Sequence, residues 1–104
     1  MAKFSIIIPT YNESQNLPFL LSDLSIIKKE GEILIIDCKS KDKTQDIAKI
    51  YGAKIYNSSK KNRGLQLKIG AEKAKGEWFI FIHADSRFNK DFLRKVKSII
   101  KRNK

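Results

Sequence analysis

One cysteine and one histidine are all that this chain of 104 residues has of two residue types that most often build covalent staples and metal cages. With Cys38 alone, no internal disulfide forms, and its simplest reading is a small buried side chain. With His83 alone, a multi-histidine zinc centre within one chain is excluded, and a structural role or a hydrogen bond to a ligand suits it better than general-base work. No Gly-x-Gly-x-x-Gly follows the first apolar run and no Gly-Lys-Ser/Thr loop occurs, so dinucleotide-binding and P-loop readings lose their main support. No nucleophile elbow or Ser-His-Asp order is present either. No apolar run approaches the roughly 18 residues that cross a bilayer. The start, Met1-Ala2-Lys3-Phe4, enters a strand pattern without the layout of a signal peptide, so the expectation is a cytoplasmic protein.

Acid is also scarce. Twenty-two Lys and Arg face 11 Asp and Glu, a formal charge of +11. Such a field attracts polyanions: nucleic acid, nucleotide diphosphates or an acidic membrane face. The cations thicken at Lys60-Lys61-Asn62-Arg63 and again over 90–104, where Phe92, Leu93, Val96, Ile99 and Ile100 recur at helical spacing. That last segment reads as a surface helix with one core face and one solvated face. A hydrophobic content of 41% fits one domain with one core.

No repeat, linker or low-complexity tract divides the chain, and four apolar runs alternate with four helix-like segments as β-α-β-α-β-α-β-α. Ile6-Ile7-Ile8, Ile33-Leu34-Ile35-Ile36 and Trp78-Phe79-Ile80-Phe81-Ile82 are continuous, as in strands covered by helices on both faces; Ala53 to Tyr56 is a weaker edge strand. Parallel strands with right-handed crossovers are expected. The first helix should run from Ser14 or Asn16 to Ile27, with Pro18 in its opening turn and Leu17, Leu20, Leu21, Leu24 and Ile27 on one face. Asp42 or Ser40 can cap a second that stops at Gly52, and a third from Asn62 stops at Gly76, both glycines suiting a left-handed position. Leu67, Gly70, Ala71 and Ala74 give the third a small-residue face, and Asn89 caps the last.

In such a sheet the loops that follow the strands gather at one edge, where ligands bind. Asp37 ends one apolar strand, and Asp85 follows another after His83-Ala84. Carboxylates there can accept hydrogen bonds from a base or ribose, or ligate a hard cation such as Mg2+ or Mn2+ that bridges a diphosphate. Arg63, beside Gly64 at a helix start, suits phosphate.

Taken together, Ser5-Ile6-Ile7-Ile8-Pro9-Thr10-Tyr11-Asn12-Glu13, Ile35-Ile36-Asp37-Cys38-Lys39-Ser40-Lys41-Asp42-Lys43-Thr44, Arg63-Gly64-Leu65-Gln66-Leu67 and His83-Ala84-Asp85-Ser86 resemble the nucleotide-sugar-binding half of family 2 glycosyltransferases with the GT-A fold. The resemblance covers residues 4 to about 88. It implies a three-layer α/β/α architecture with a mainly parallel four-stranded sheet, half of a GT-A (Rossmann-like) domain. It implies that Pro9, Tyr11 and Glu13 line a nucleoside pocket, that Asp37 meets the base and that Arg63 approaches the diphosphate. Asn12, Ser40 and His83 join the substrate-binding set, and Asp85 stands at the position of a divalent metal.

The departures from the family pattern are specific. Asp-Asp-Gly-Ser or Asp-Gly-Gly-Ser is usual where Asp37-Cys38-Lys39-Ser40 stands, so a carboxylate or glycine is lost and a lysine gained. The usual Asp-x-Asp is His83-Ala84-Asp85, which resembles a subgroup with some members tied to arsenosugar synthesis. In the family the acceptor-binding part with the general base follows the metal motif, so that base is expected beyond Lys104, and Asp91 instead reads as a helix-opening charge. Residues 1–104 are therefore expected to form one truncated nucleotide-sugar-binding subdomain, an inverting glycosyltransferase half for a UDP-sugar or similar donor and an acceptor the sequence does not name. An open edge beside the fourth strand would invite self-association. The alternative is a small basic α/β nucleic-acid-binding module; Trp78, Phe79 and Phe81, read as buried, argue against it.

Overall fold

The computed structural model describes residues 3–102, the Ile100 side chain excepted, so Ile100's place on the expected apolar face and the tail Asn103-Lys104 lie outside the described residues. The order is β1 (Phe4–Thr10), α1 (Leu17–Leu24), a 3-10 helix (Ser25–Glu30), β2 (Gly31–Asp37), α2 (Thr44–Ile50), β3 (Lys54–Asn57), α3 (Arg63–Lys73), β4 (Trp78–Phe81) and α4 (Lys90–Arg102). All strand pairs are parallel and the sheet order is β3-β2-β1-β4, with Ile6 beside Ile33 and Ile80, and Thr10 beside Asp37. No helix among the described residues is long and apolar enough to cross a membrane.

The central pair β1 and β2 is buried on both faces, which is why their sequences do not alternate. Phe4, Ile6, Ile8, Ile33 and Ile35 meet Leu17, Leu20, Leu21 and Leu24 of α1, Ala48 of α2 and Leu93 of α4. Ile7, Leu34 and Ile36 meet Leu67, Ile69 and Ala74, the last just past the end of α3. Three helices thus cover one face and one covers the other. Each fully buried leucine of α1 contributes about 1.5–3 kcal/mol of transfer free energy.

Local chemistry sets the ends. Pro18 sits in the first turn of α1, as expected, but the α-helix stops at Leu24 rather than Ile27. There the Ser25 hydroxyl donates to the Ser22 carbonyl at 2.7 Å and the chain tightens into the 3-10 helix, which still buries Ile27. Asn62 caps α3 by accepting from Leu65 N at 2.9 Å, and Asn89 accepts from Phe92 N at 2.8 Å at the start of α4. Gly52 adopts φ 77°, the left-handed turn expected of it. Gly76 does not: the backbone of Phe4 passes so close that any Cβ would collide, so close approach demands that glycine. Gly70 serves α3 in the same way against Ile7.

One expectation is overturned. Trp78, Phe79 and Phe81 are not buried; they are 39%, 44% and 51% exposed. The reason is topological. β4 pairs only with β1, and among the described residues nothing covers its far side. The argument from burial against stacking therefore does not hold.

Candidate functional site

The parallel register brings the four loops after the strands to one edge, and hydrogen bonds lock the first two together. Asn12, whose φ of 52° an asparagine tolerates, donates N–H to Ser40 Oγ at 2.7 Å and accepts from Lys41 N at 2.8 Å. Glu13 N donates to Thr44 Oγ1 at 2.9 Å and Ser14 N to Asp42 Oδ2 at 3.1 Å. Asp42 also accepts from the N–H and hydroxyl of Thr44, so it opens α2 from two residues ahead. Burial raises the Asp42 carboxyl, but the bonds from Thr44 and Ser14 outweigh it and hold it down to about 2.

Asp37 is fully buried. Its Oδ1 accepts from Thr10 Oγ1 at 2.6 Å and Ser40 Oγ at 2.5 Å; its Oδ2 accepts from Ser40 N at 2.9 Å and Gln45 Nε2 at 2.8 Å. Burial alone would push this carboxyl up, and the donors Ser40, Thr10 and Gln45 reverse that and keep it below the usual carboxylate range. All four acceptor directions are used inside the protein, so contact with a base requires one of these bonds to be exchanged. Ser40 and Asn12 are likewise spent on the loop junction.

Other residues open outward. A hollow of about 270 Å3 is lined by Pro9, Thr10, Tyr11, Glu13, Lys61, Arg63 and Gln66. A smaller one of about 130 Å3, lined by Pro9, Arg63, Leu67, Phe81, Ile82 and His83, shares Pro9 and Arg63 with it. The exposed first residue of α3, Arg63, therefore stands between them, beside that helix's free N–H groups. Lys61 Nζ lies 4.6 Å from the centre of the Tyr11 ring, a cation over an aromatic face. Asp85 lines neither hollow; it is exposed in the turn after His83, and no described residue gives it a hydrogen bond or ion pair. That turn is anchored by Arg87 Nε donating to Asp23 Oδ2 at 2.8 Å and by Phe88 N donating to the same oxygen at 3.0 Å.

Sequence reasoning missed Gln66. Its buried side chain donates to the carbonyls of Thr10 at 3.1 Å and Ile36 at 2.9 Å, fixing the opening of α3 to the ends of β1 and β2. The available signal was a polar residue on the core face of α3, one turn before Gly70. Gln45 and Thr10, the other holders of Asp37, carried no comparable signal.

A larger hollow, about 560 Å3, lies at the opposite edge among Lys28, Lys29, Glu32, Lys54 and Lys75. Its one carboxylate, Glu32, is already taken by Ser5 Oγ at 2.5 Å, Lys54 Nζ at 2.7 Å and Lys75 N at 2.6 Å. Size notwithstanding, the carboxyl edge holds the unspent groups.

The chain is 35% identical over 94 residues to 4,4'-diaponeurosporenoate glycosyltransferase of Staphylococcus haemolyticus, a match covering 84% of this chain and 25% of that protein. The crystal structure of S. aureus TarS 1-349 in complex with UDP superposes with a TM-score of 0.81 at 29% identity, over 96% of this chain and 32% of that one. Glucosyl-3-phosphoglycerate synthase from Mycobacterium tuberculosis, solved with Mn2+, UDP and glucosyl-3-phosphoglycerate, shares the fold at a TM-score of 0.73 and 18% identity, over 83% of this chain and 36% of that one. The chain thus spans about a fifth to a third of the proteins it matches. The family model for glycosyl transferase family 2 matches residues 5–104, and the chain belongs to that family.

Proposed function

We propose that residues 1–104 are the donor-binding part of an inverting, metal-dependent glycosyltransferase that holds a nucleotide-diphosphate sugar, with UDP as the leaving nucleotide. The observation that carries this reading is the position of Arg63, without an ion pair among the described residues and shared by two adjoining hollows, with Tyr11 and Glu13 in one and His83 in the other. A diphosphate on Arg63 and the N-terminus of α3 puts a nucleoside toward Tyr11 and a sugar toward His83. The UDP bound to TarS supports the choice of nucleotide.

In this reading Tyr11 offers a ring face to the base, and Asp37 is a positioning residue that holds Thr10, Ser40 and Gln45 in register around the pocket. Arg63 offsets charge on the departing diphosphate. The donor set fits a hard divalent cation. No three His, Cys, Asp or Glu residues come together among the described residues, yet Mg2+ or Mn2+ that keeps waters and takes diphosphate oxygens needs only one or two protein carboxylates. Asp85 offers one, and His83 stands two residues before it, as in the His-Ala-Asp subgroup. The metal would supply further charge compensation on the diphosphate. The base that deprotonates the acceptor hydroxyl belongs to a part of the enzyme outside these residues. The basic nucleic-acid module finds no support among the relatives named above.

Calorimetry with UDP and Mn2+ tests the reading. Asp85→Ala should remove the dependence on Mn2+, and Arg63→Ala should weaken UDP binding about tenfold or more, as loss of a charge-assisted phosphate contact does. Absence of UDP binding, or binding indifferent to both substitutions, would sink it.

A further inference from the structure

The aromatic face that the donor reading gives to the base already has an occupant. Lys61 Nζ lies 4.6 Å from the centre of the Tyr11 ring, and both residues line the hollow of about 270 Å3 that Arg63 also borders. The covered face is therefore the one a ligand entering that hollow meets. Lys61 has no ion pair among the described residues, so its charge is not committed to a carboxylate.

Both side chains spring from fixed backbone. Tyr11 precedes Asn12, which hydrogen bonds tie to Ser40 and Lys41. On the other side, Ser58 N donates to the carbonyl of Asp37 at 2.8 Å, and the carbonyl of Lys60 accepts from Ser58 Oγ at 2.8 Å and from Asn62 N at 2.9 Å. Asn62 in turn caps α3. Lys61 thus sits on a short bridge from the end of β2 to the start of α3, where its root is held while its flexible four-carbon stem is free to turn. Arg63, two residues on, opens that helix.

A cation and a base compete for one ring face, and magnitudes decide between them. An exposed cation–π contact is worth a factor of about two to five, whereas a base stacked on an aromatic side chain is worth about five- to a hundredfold. The base wins.

We propose that Lys61 is a movable cation of the donor pocket: it covers Tyr11 until a nucleoside diphosphate binds, yields the ring to the base, and turns to the diphosphate beside Arg63. The inference rests on the donor reading and adds a selection rule to it. A ligand with both base and diphosphate recovers on phosphate the contact that it breaks on the ring. A nucleoside alone breaks that contact and gets nothing back. Lys61 therefore favours the joined ligand over the nucleoside by more than a phosphate contact alone would.

NMR of the 104-residue chain reads the exchange directly, with amide spectra checking that each variant folds. The Tyr11 ring current should shift the Lys61 ε-methylene protons upfield; Tyr11→Leu should abolish that shift and UDP should relieve it. In titrations Lys61→Met should bind uridine about two- to fivefold more tightly, because the ring is freed. It should bind UDP about two- to fivefold less tightly, a lost phosphate contact of about tenfold being partly offset by the freed ring. Lys61→Arg stacks better and still reaches phosphate, so it should weaken uridine and keep UDP. Uridine affinity unchanged or lowered in Lys61→Met overturns the proposal and leaves the donor reading standing, as does a Lys61 signal that Tyr11→Leu does not move. Failure of the parent chain to bind UDP sinks both.

Discussion

β2 and β4 begin as the same kind of sequence and finish in opposite environments. Each is an apolar strand, one ending on Asp37 and the other leading through His83-Ala84 to Asp85. β2 lies between two strands under helices on both faces, so all its residues from Glu32 to Asp37 are buried and its terminal carboxylate is committed to four internal donors. Among the described residues β4 has one neighbour, four residues mostly exposed, and an aspartate beyond it without a hydrogen-bond or ion-pair partner. A carboxylate after an apolar strand is thus a buried beam in the loop framework in one case and, in the other, exposed without a partner among the described residues. Residue type and spacing are the same in both cases.

Removing each carboxylate should separate the two cases most sharply. Asp37→Ala strands the buried hydroxyl of Thr10 and the half-buried Ser40 hydroxyl, Ser40 N–H and Gln45 amide, and should cost about 2–3 kcal/mol of unfolding free energy. Asp85→Ala removes no hydrogen bond or ion pair among the described residues and should stay within about 0.5 kcal/mol of the parent. Urea unfolding of the two variants side by side measures the difference; equal losses would erase the distinction.

Much of this was legible beforehand. The order of elements, the parallel sheet, β3 as an edge and the caps at Asn62 and Asn89 all follow from local signals that need no knowledge of the whole: apolar periodicity, a side-chain oxygen before a helix, a glycine after one. What was not legible depended on neighbours. Trp78-Phe79-Ile80-Phe81-Ile82 reads as buried because a continuous apolar run usually is, and only the strand order shows that it lies at a border. Gly76 announces a turn but answers to the Phe4 backbone, a contact 72 residues away in sequence. Tyr11, Glu13, Arg63 and His83, expected from their loops to bind substrate, do line the two adjoining hollows. The inward turn of Asp37, and the role of Gln66 in holding three elements together, required the third dimension.

Gln66 offers a second test on the committed side of the comparison. Gln66→Leu keeps the volume roughly but leaves the carbonyls of Thr10 and Ile36 unsatisfied, and should cost about 1–3 kcal/mol. Because it also fixes the opening of α3, it should lower UDP affinity without altering the dependence on Mn2+. Thermal unfolding with parallel calorimetry reads both.

Acid should weaken the framework around Asp37 and Asp42. Asp37 and Asp42 are both held below their ordinary values, Asp42 at about 2 against 3.8. A depressed folded value means that the group stabilises fully above its unfolded value and that this stabilisation is lost as pH falls through the folded one. Stability should therefore fall between about pH 4 and pH 2. Asp42→Asn should flatten that part of a stability profile measured by urea unfolding at each pH; an unchanged profile would place Asp42 outside the framework.

The smallest effect concerns Lys39, which sits in the committed loop at φ 52° where the family pattern usually has glycine. The left-handed region costs a residue with a Cβ about 1–2 kcal/mol. Glycine there avoids that cost but adds about 0.5–1 kcal/mol of chain freedom to the unfolded state. The first term is the larger, so Lys39→Gly should stabilise by about 0.5 kcal/mol, against the usual direction of point substitutions. If the lysine is kept because its charge lies near an anionic donor, the same change should weaken UDP binding while strengthening the fold. Stabilisation with unchanged UDP affinity would instead assign Lys39 no part in the pocket and leave Arg63 and Lys61 as its cations.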